Sequence, residues 1–484
     1  MPLRIMPIAF LIFIVFTSIS SSAFGQKNNI AFTSSDTALQ TAFHRAKEMA
    51  LHYKGQPGDP VGPWYESALP PRYAFCMRDV AHQAVSAEAL GLTAANKNMF
   101  TLFAKNISDS KDWCSYWEIN KYGKPAPEDY RNDTAFWYNL NANFDILNAF
   151  WKLYLWTGDR DYISHPVFEN FQNKSANEFI KKWVLQPDSL LTRPAHPNAG
   201  AAYNDEDAFH RARGLPSYSE GIPNMKMGID LVAAIYRGLL SYAAILKENG
   251  KSAEAKQFEQ KAALYQKHID KYWWDEKENL YNTFYSNKKA FGKNEGETFL
   301  LWFNALSDTS RRRHTIEHLL NNKWNVENMS YFPYIFYQNG YWDDAAKYML
   351  LLTSPRTQRR EYPEVSYGVM LGFVNGLMGI QPDARFNRVE TIYKSNSKTS
   401  CFIENVPLLG TLVSVKHQPG SSEFINTGQN KVTWRAQFYG EYSGVIVNGK
   451  VQKAMKSKDD AGKVISYVDL SVEPGEKIVV TISR

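Results

Sequence analysis

The chain has 484 residues, 44% of them hydrophobic and 14% aromatic, enough to bury a large core in more than one domain. Its formal net charge of +6 is modest, and its basic residues are scattered apart from the cluster at 311–313, which argues against a nucleic-acid partner. Three cysteines are too few for a disulfide framework, although Cys76 and Cys114 are compatible with one bridge or with unpaired buried thiols. No ligand spacing suggests a metal, so we expect neither a metal nor a cofactor.

The first 25 residues have the features of a secretory signal. Arg4 supplies positive charge, residues 8–16 form a short apolar run, and residues 23–25 have the small-x-small form of a cleavage site. We therefore expect a periplasmic or secreted protein that begins near Gln26. We expect no membrane-spanning segment, on the interpretation that no later stretch approaches the roughly 20 apolar residues of a membrane span.

Helical periodicity dominates the chain from about residue 35 to about residue 380. Helical hairpins repeat at roughly 50–60 residues, which is compatible with an open solenoid or with a closed double ring of helices, an (α/α)6 toroid. Long loops rich in Pro, Trp, Tyr and acids separate the hairpins and favour the toroid, because long structured loops usually carry function. The predicted helices are 37–51, 80–91, 144–157, 168–184, 227–249, 252–272, 298–306, 316–321, 341–352 and 367–378.

Short β-branched segments separated by Pro-Gly, Thr-Gly and Asn-Gly turns follow Asp383. They predict a small antiparallel β-sandwich that packs against the toroid and helps to shape or support its site. The expected organisation is a signal segment (1–25), a mainly α (α/α)6 toroid (26–383) and a C-terminal antiparallel β-sandwich (384–484).

Arg78 and Asp79 stand directly before an apolar helical segment, in the stretch FCMRDVAHQAVSAEALGL. An Asp at a helix start accepts unpaired backbone N–H groups, so Asp79 is compatible with an N-cap that has Arg78 as its surface partner. Tyr73 and Trp64 crowd the same approach, and aromatic residues around paired charges are typical of a sugar-binding cleft. This surrounding makes Arg78, Asp79 and Tyr73 candidate binding residues.

Glu220 lies in a Gly/Pro-punctuated loop after Tyr218, just before an apolar helix. A carboxyl held among aromatic and apolar groups has its pKa raised by desolvation, as a general acid requires. An exposed loop glutamate is the alternative interpretation, and Asp230 is the neighbouring candidate. Tyr218 is a candidate contact to the ligand.

Glu361 and Glu364 lie beside Arg360 in the stretch QRREYPEVSYGVMLGFVNG, ahead of another apolar helix. Two acids next to arginines are compatible with an ion-pair network. The start of a buried helix rarely requires such a group of charged residues, however. We therefore treat both acids as candidate catalytic residues and Arg360 as a candidate binding residue.

Aromatic residues are dense between 112 and 146, where Trp117 and Trp137 are candidates for stacking on sugar rings. Packing between helices explains part of this density. It does not explain the neighbouring polar residues Asn141, Asn143 and Asp145, which could hydrogen-bond to hydroxyl groups.

The order of these features resembles the six-hairpin glycosidase superfamily, which includes trehalases, processing glucosidases, rhamnosidases and exported enzymes of Bacteroidetes. The stretch around Arg78 and Asp79 is similar to the entry helix in which an Arg-Asp pair binds the terminal sugar. REYPEVSYGVMLGFVNGL is similar to a trehalase stretch in which Glu-Tyr-Pro precedes a Gly-Phe run, which implies Glu361 as the general base. The longer spacing here keeps Glu364 as an alternative, and Glu220 corresponds to the general acid by position alone.

The sequence thus favours an exported, exo-acting, inverting glycoside hydrolase that cleaves terminal sugars from an oligosaccharide or polysaccharide with two carboxyl groups. We expect a monomer or a weak oligomer. A polysaccharide lyase on the same toroid is one alternative, with Tyr and His as proton carriers. A non-catalytic glycan-binding protein is the other.

Overall fold

A computed structural model describes residues 30–67, 69–222, 224–459 and 462–483. The expected signal segment, residues 1–25, lies outside the described residues. The helices are α1 (Thr37–His52), α2 (Met77–Ala89), α3 (Thr93–Lys105), α4 (Asn141–Thr157), α5 (Asp161–Ser164), α6 (Pro166–Lys174), α7 (Ile180–Lys182), α8 (Ala208–Ala212), α9 (Ile229–Glu248), α10 (Ser252–Tyr272), α11 (Glu297–Trp302), α12 (Thr309–Asn321), α13 (Val326–Gln338), α14 (Trp342–Leu352) and α15 (Pro363–Leu371). Single π-helical segments, Ser175–Phe179 and Gly372–Leu377, follow α6 and α15.

Within the described residues, six helices close an inner ring in the order α2, α4, α9, α11, α13 and α15, with α15 packed back on α2. The helices α1, α3, α6, α10, α12 and α14 alternate with them along the chain and form the outer layer. The inner helices α4 and α9 bury most of their residues because they face both the ring axis and the outer layer. This arrangement confirms the predicted (α/α)6 toroid.

Helix α9 corrects one expectation. Ile229–Glu248 is long and apolar enough to span a membrane by length and composition, although no such stretch was expected. In the folded chain 78% of its apolar window is buried, and it lies between α4 and α11 in the inner ring. Its apolar surface is therefore that of a core helix.

Two helices of the double ring, α3 and α13, were not predicted from the sequence. Helix α3 contains Thr93, Asn96 and Asn98, which have low helix propensity, and α13 contains Pro333 within an aromatic-rich segment. Both form because their apolar faces are buried in the ring, which outweighs the local preference.

All the inner helices begin at the same end of the ring, which we call the mouth. Contacts join the segments at their N-termini: the Ser219 hydroxyl, ahead of α9, donates to the backbone carbonyl of Glu295, ahead of α11 (2.8 Å). The Asn328 amide, in the first turn of α13, donates to the carboxylate of Glu295 (2.9 Å). The mouth is therefore built from loops and helix N-termini.

The C-terminal region is a two-sheet sandwich. One sheet has the order β1-β15-β16-β17-β23-β19-β20 and the other β13-β14-β18-β22-β21; only β14 and β18 pair in parallel in these two sheets, among the described strands. The strands are β1 (Ala31–Ser34), β2 (Ala74–Cys76), β3 (Glu118–Asn120), β4 (Tyr130–Asn132), β5 (Ala135–Phe136), β6 (Tyr138–Asn139), β7 (Arg213–Leu215), β8 (Met225–Gly228), β9 (Trp274–Asp275), β10 (Leu280–Tyr281), β11 (Phe284–Ser286), β12 (Phe291–Gly292), β13 (Gln381–Asp383), β14 (Arg388–Ile392), β15 (Cys401–Leu408), β16 (Thr411–Gln418), β17 (Ser421–Asn426), β18 (Val432–Tyr439), β19 (Gly444–Val447), β20 (Lys450–Lys453), β21 (Met455–Lys458), β22 (Val464–Val472) and β23 (Lys477–Ile482).

The sandwich contains a strand from the other end of the chain. Strand β1 pairs antiparallel with β15, with Ala31 opposite Glu404 and Ser34 opposite Cys401. The short segment ahead of α1 is thus part of the sandwich rather than of the ring.

The cysteines Cys76, Cys114 and Cys401 are all buried and unpaired.

The sandwich packs at the end of the ring opposite the mouth. The indole N–H of Trp156, at the end of α4, donates to the carbonyl of Pro407 (2.8 Å), and the Leu409 N–H donates to the carbonyl of Trp156 (2.8 Å). Since α4 starts at the mouth, these contacts lie about 20 Å away from it along the helix. Of the two expected roles, shaping or supporting the site, these contacts are compatible only with support, given to the far end of the inner ring.

Candidate functional site

The mouth concentrates carboxyl groups at helix N-termini, where the helix dipole favours negative charge. Asp79 lies in the first turn of α2, Glu327 in that of α13 and Glu364 in that of α15. Glu220 lies in the loop ahead of α9. Residues far apart in the chain thus meet in one cleft.

Arg78 and Asp79 form the centre of this cleft. The Nε atom of Arg78 donates to Oδ1 of Asp79 (3.1 Å), and a second guanidinium nitrogen lies 3.7 Å from Oε1 of Glu220. The guanidinium stacks between two aromatic rings, with its central carbon 5.5 Å from the centroid of Trp117 and 5.1 Å from that of Tyr218. Burial works against its charge, but Asp79 and Glu220 raise the pKa of Arg78 above its usual value.

Asp79 is not the N-cap of its helix. Cys76 occupies that position, with no side-chain capping bond. The Asp79 residue is only 8% exposed, and its carboxylate faces Arg78 rather than the backbone N–H groups of α2. The capping interpretation of Asp79 is therefore excluded.

The two glutamates of the third acidic stretch have different environments. Glu361 precedes α15 and is exposed, whereas Glu364 lies in the first turn of the helix and is half-buried. Burial first, and then the charge of Asp79, raises the pKa of Glu364 to about 8. Glu364 is thus the glutamate of this stretch on which the charges of Asp79 and Arg78 act, and Glu361 lies on the surface.

Glu220 stands on the other side of the Arg78–Asp79 pair. Its Oε1 accepts a hydrogen bond from the side-chain amide of Asn139 (2.7 Å), and its side chain is 34% exposed. Desolvation by the cleft walls raises the pKa of Glu220, while Arg78 and Asn139 partly oppose the rise. Asn139 was not singled out in the sequence, because strand β6 carries no local signal for a carboxylate partner.

Asp230 holds the Glu220 loop in place. Its carboxylate accepts hydrogen bonds from the Ser217 hydroxyl (2.9 Å), the Tyr218 N–H (2.5 Å) and the Asn141 amide (3.2 Å). It is fully buried, and burial raises its pKa to about 6. A methyl group on Gly228 would overlap both Asp230 and Ser217, so the loop requires glycine there. Asp230 is therefore an anchor rather than a second acid in the cleft.

A buried network forms the floor of the mouth. The Tyr218 hydroxyl donates to Asp145 (2.6 Å), and Nε2 of His82 lies 3.3 Å from the same carboxylate. The other ring nitrogen of His82 lies 2.8 Å from the Tyr331 hydroxyl. The sequence analysis named Asp145 as a candidate for binding hydroxyl groups, but its oxygens face Tyr218 and His82. The network links α2, α4 and α13 with the loop that carries Tyr218.

The remaining predicted residues lie around this centre. Trp117 is buried beneath Arg78, and Trp137 is half-buried between β5 and β6. Tyr73 is 52% exposed on the approach to α2, and Lys121 lies over its ring (4.3 Å). Arg360 is half-buried and directly precedes Glu361 in the chain. Its positive charge partly opposes the rise in the pKa of the Tyr53 hydroxyl. Among the described residues there is no group of three or more His, Cys, Asp or Glu side chains able to hold a metal ion.

Comparisons with known proteins agree with this architecture. The Trehalase family model matches residues 218–334, which run from Tyr218 and Glu220 into α13. No curated protein matches the chain. An alpha-L-rhamnosidase from Dictyoglumus thermophilum is similar in structure, with a TM-score of 0.61 and 12% identity over 94% of this chain and 50% of its own.

Two further structures share the fold. They are a rhamnosidase of Bacillus sp. GL1 (TM-score 0.55, 12% identity, 82% of this chain and 40% of its own) and a putative kojibiose phosphorylase from the human microbiome (0.53, 10%, 93% and 68%). The chain spans half the length or less of the two rhamnosidases it matches. These structures confirm the fold that the resemblance implied: the chain is an (α/α)6 toroid, with a region at 218–334 that matches the Trehalase family model.

Proposed function

We propose that the protein is an exported, exo-acting, inverting glycoside hydrolase whose carboxyl pair is Glu220 and Glu364. The observation that carries this proposal is the arrangement of these two glutamates about the Arg78–Asp79 pair in one cleft. Glycoside hydrolysis needs one carboxyl to protonate the leaving oxygen and another to activate water. Both glutamates have a raised pKa, as acids and bases that work near neutral pH require.

Asp79 is proposed to bind the hydroxyl groups of the terminal sugar. A carboxylate can accept from two adjacent hydroxyls, and Arg78 keeps it ionised. Trp117 and Tyr218, which enclose the Arg78 guanidinium, offer ring faces to the same ligand.

The roles of the two glutamates follow from their charges. Glu364, with a pKa of about 8, holds its proton at neutral pH and is proposed as the proton donor. Glu220 lies beside Arg78, which favours its ionised form, and is proposed as the base that activates water. This assignment reverses the roles expected from the sequence, where Glu220 was the acid by position alone.

Three finer features of the proposal have separate support. The closed floor of His82, Asp145 and Tyr331 favours a dead-end pocket that accepts one chain terminus, hence exo action. The partial exposure of Glu220 leaves access for a water molecule, which inversion needs. The signal-like residues 1–25 support export.

The substrate class is tested by sugar release. Trehalose, kojibiose and α-L-rhamnosides are the first substrates to offer, because the matching proteins are named for them. We expect release of a free sugar whose initial anomer, followed by NMR, is inverted. A product that absorbs in the ultraviolet would indicate a lyase, a requirement for inorganic phosphate would indicate a phosphorylase, and saturable binding without product would indicate a glycan-binding protein.

The carboxyl roles are tested with matched variants. We expect Glu364→Ala to retain activity on an aryl glycoside with a good leaving group, which needs no proton, and to lose activity on a disaccharide. We expect azide to rescue Glu220→Ala by replacing the activated water, giving a glycosyl azide of inverted configuration. Glu361→Ala is the control and should resemble the wild type. Azide rescue of Glu364→Ala instead would restore the roles expected from the sequence.

A further inference from the structure

A two-stranded ribbon, formed by β2 and β3, leads away from the first turn of α2. At its base the Met77 N–H donates to the backbone carbonyl of Trp117 (2.9 Å), whose ring lies against Arg78 in the cleft. At its other end the Lys121 N–H donates to the backbone carbonyl of Tyr73 (2.9 Å). The extended chain between Tyr73 and Met77 spans about 13 Å. The ribbon therefore connects the cleft with the rim of the mouth.

The ribbon tip, which consists of Tyr73, Lys121 and Tyr122, carries two exposed aromatic rings. Tyr73 is 52% exposed and Tyr122 is 60% exposed. The Lys121 ammonium lies 4.3 Å from the ring centroid of Tyr73 and 5.6 Å from that of Tyr122. Single exposed hydrophobic residues are ordinary, whereas two large rings around the same ammonium form one patch. The ribbon tip thus combines two ring surfaces with a hydrogen-bond donor.

The backbone fixes the position of both rings. Tyr73 has a φ of 52°, in the left-handed region that a bulky residue rarely adopts, and its N–H donates to the carboxylate of Glu66 (2.8 Å). The Tyr122 N–H donates to the side-chain oxygen of Asn120 (3.0 Å). Strained backbone of this kind persists where the surrounding contacts hold it, and it is concentrated at ligand sites. The exposed rings therefore belong to a preformed surface.

The ribbon is joined to the Glu220 side of the cleft by charged groups. One guanidinium nitrogen of Arg72, next to Tyr73 in the chain, lies 2.9 Å from the carboxylate of Glu118 on β3 and 2.8 Å from that of Asp129. The charge of Asp129 in turn contributes to the raised pKa of Glu220. The ribbon is thus one wall of the mouth, and a chain bound in the cleft can continue along it.

We propose that the ribbon tip binds the part of a glucopyranose oligosaccharide that extends out of the cleft, with sugar rings on Tyr73 and Tyr122 and a hydroxyl on Lys121. Glucopyranose has C–H faces that pack on aromatic rings, and an ammonium donates to hydroxyl oxygens. The ribbon is about as long as two to three linked pyranose rings, so the substrate is an oligosaccharide of at least about three units.

This site deepens the proposed function and rests on it, because that function places the terminal sugar at Asp79. A sugar chain is also the occupant that fits the size of the patch. Two tyrosine side chains and a lysine offer far less area than the roughly 800 Å² that each partner buries in a stable protein interface.

The experiment is calorimetric titration of the Glu364→Gln variant, which should not consume its ligand. Cellobiose is compared with cellohexaose, and maltose with maltohexaose. In at least one series we expect the hexamer to bind at least about fivefold more tightly than the dimer, as ring stacking implies. Tyr122→Ala in the same background should remove this gain, and Tyr122→Phe should keep it because the ring remains. Thermal unfolding shows that each variant is folded.

Phe386→Ala is the matched control. Phe386 is 59% exposed and has the Arg388 guanidinium over its ring (4.9 Å), but it lies beside β13 of the sandwich, away from the mouth. This variant should keep the gain in affinity with chain length.

Equal affinity for dimer and hexamer in both series would overturn the proposal, and so would a gain that Tyr122→Ala leaves intact. A dimer of the protein in solution that Tyr122→Ala converts to a monomer would also overturn it, because the ribbon tip would then join two copies. Sugar release by the wild type without a gain in either series would contradict the ribbon site alone. A gain that Tyr122→Ala removes, without sugar release, would support the ribbon site and contradict the hydrolase.

Discussion

The negative charge of Asp79 raises the pKa of Glu364 on the neighbouring ring helix, although the two residues lie near opposite ends of the helical region in the sequence. Asp79 is in the first turn of α2 and Glu364 in the first turn of α15, the helices that close the ring. Together with burial, the Asp79 charge raises the pKa of Glu364 to about 8. Burial and the charge of Asp79 together keep Glu364 protonated at neutral pH, and the contribution of Asp79 can be tested directly.

Asp79→Asn should change both activity and the pH profile. Loss of a carboxylate that accepts two hydrogen bonds from hydroxyls should cost on the order of 2–4 kcal/mol of transition-state stabilisation. The pKa of Glu364 should fall, because its neighbouring negative charge is gone. If Glu364 is the proton donor, the alkaline limb of kcat/KM should therefore move to lower pH. If the variant keeps the wild-type kcat/KM but unfolds at a lower temperature, Asp79 has a structural role and no role in binding substrate.

Glu364→Gln should stabilise the fold at alkaline pH. The pKa of Glu364 is raised on folding from 4.5 to about 8, so its protonated form stabilises the native state below pH 4.5, and this contribution is lost as the pH rises through 8. Glutamine stays neutral and avoids the loss, which amounts to a few kcal/mol at about 1.4 kcal/mol per pKa unit.

Thermal unfolding at pH 5 and pH 9 measures this effect. The variant and the wild type should differ little at pH 5, and the variant should unfold at a higher temperature at pH 9. Glu361→Gln, at an exposed position of the same stretch, is the matched control and should follow the wild type at both values. A wild-type Tm equal to that of Glu364→Gln at pH 9 would mean that Glu364 is not buried as described.

Gly228→Ala should weaken activity without touching a carboxyl of the cleft. The added methyl group would displace Asp230 and Ser217, whose hydrogen bond anchors the loop that carries Tyr218 and Glu220. We expect a drop of about tenfold or more in kcat/KM together with a lower Tm, since a small misplacement of a catalytic group is costly. Gly221→Ala is the control in the same loop, because no atom lies within 4 Å of its added carbon.

Trp156→Phe should destabilise the protein and leave catalysis unchanged. The indole N–H donates to the Pro407 carbonyl at the junction of ring and sandwich, and leaving that carbonyl unpaired should cost about 1–3 kcal/mol. The mouth is at the other end of α4, so kcat/KM at a temperature where the variant is folded should match the wild type. A large change in KM would indicate that the junction communicates with the cleft.

A chelator should not affect hydrolysis. The proposed mechanism uses carboxyl groups alone, and the described residues hold no cluster of metal ligands. We expect full activity after dialysis against excess chelator. Loss of activity that a divalent ion restores would contradict the mechanism.

The architecture could be predicted from the sequence because the patterns that indicate helices, strands and turns are local to each segment. Apolar positions at helical spacing predicted most of the ring helices, and β-branched segments with Gly turns predicted the sandwich after Asp383. Acidic stretches ahead of apolar helices located Asp79 and Glu364, in the first turns of α2 and α15, and Glu220, in the loop ahead of α9. Only α3 and α13 were missed among the ring helices, since their stability comes from packing rather than propensity.

The tertiary structure alone decided which of these residues meet. The Glu-Tyr-Pro match pointed to Glu361, but α15 begins at Pro363, so Glu364 lies in its first turn, where the charge of Asp79 raises its pKa. Asp230 became an anchor because Ser217 and Tyr218 fold back onto it. Burial and the distances between charges set these roles, and both depend on residues far apart in the chain. A pKa is therefore a property of the folded cleft, which no local pattern contains.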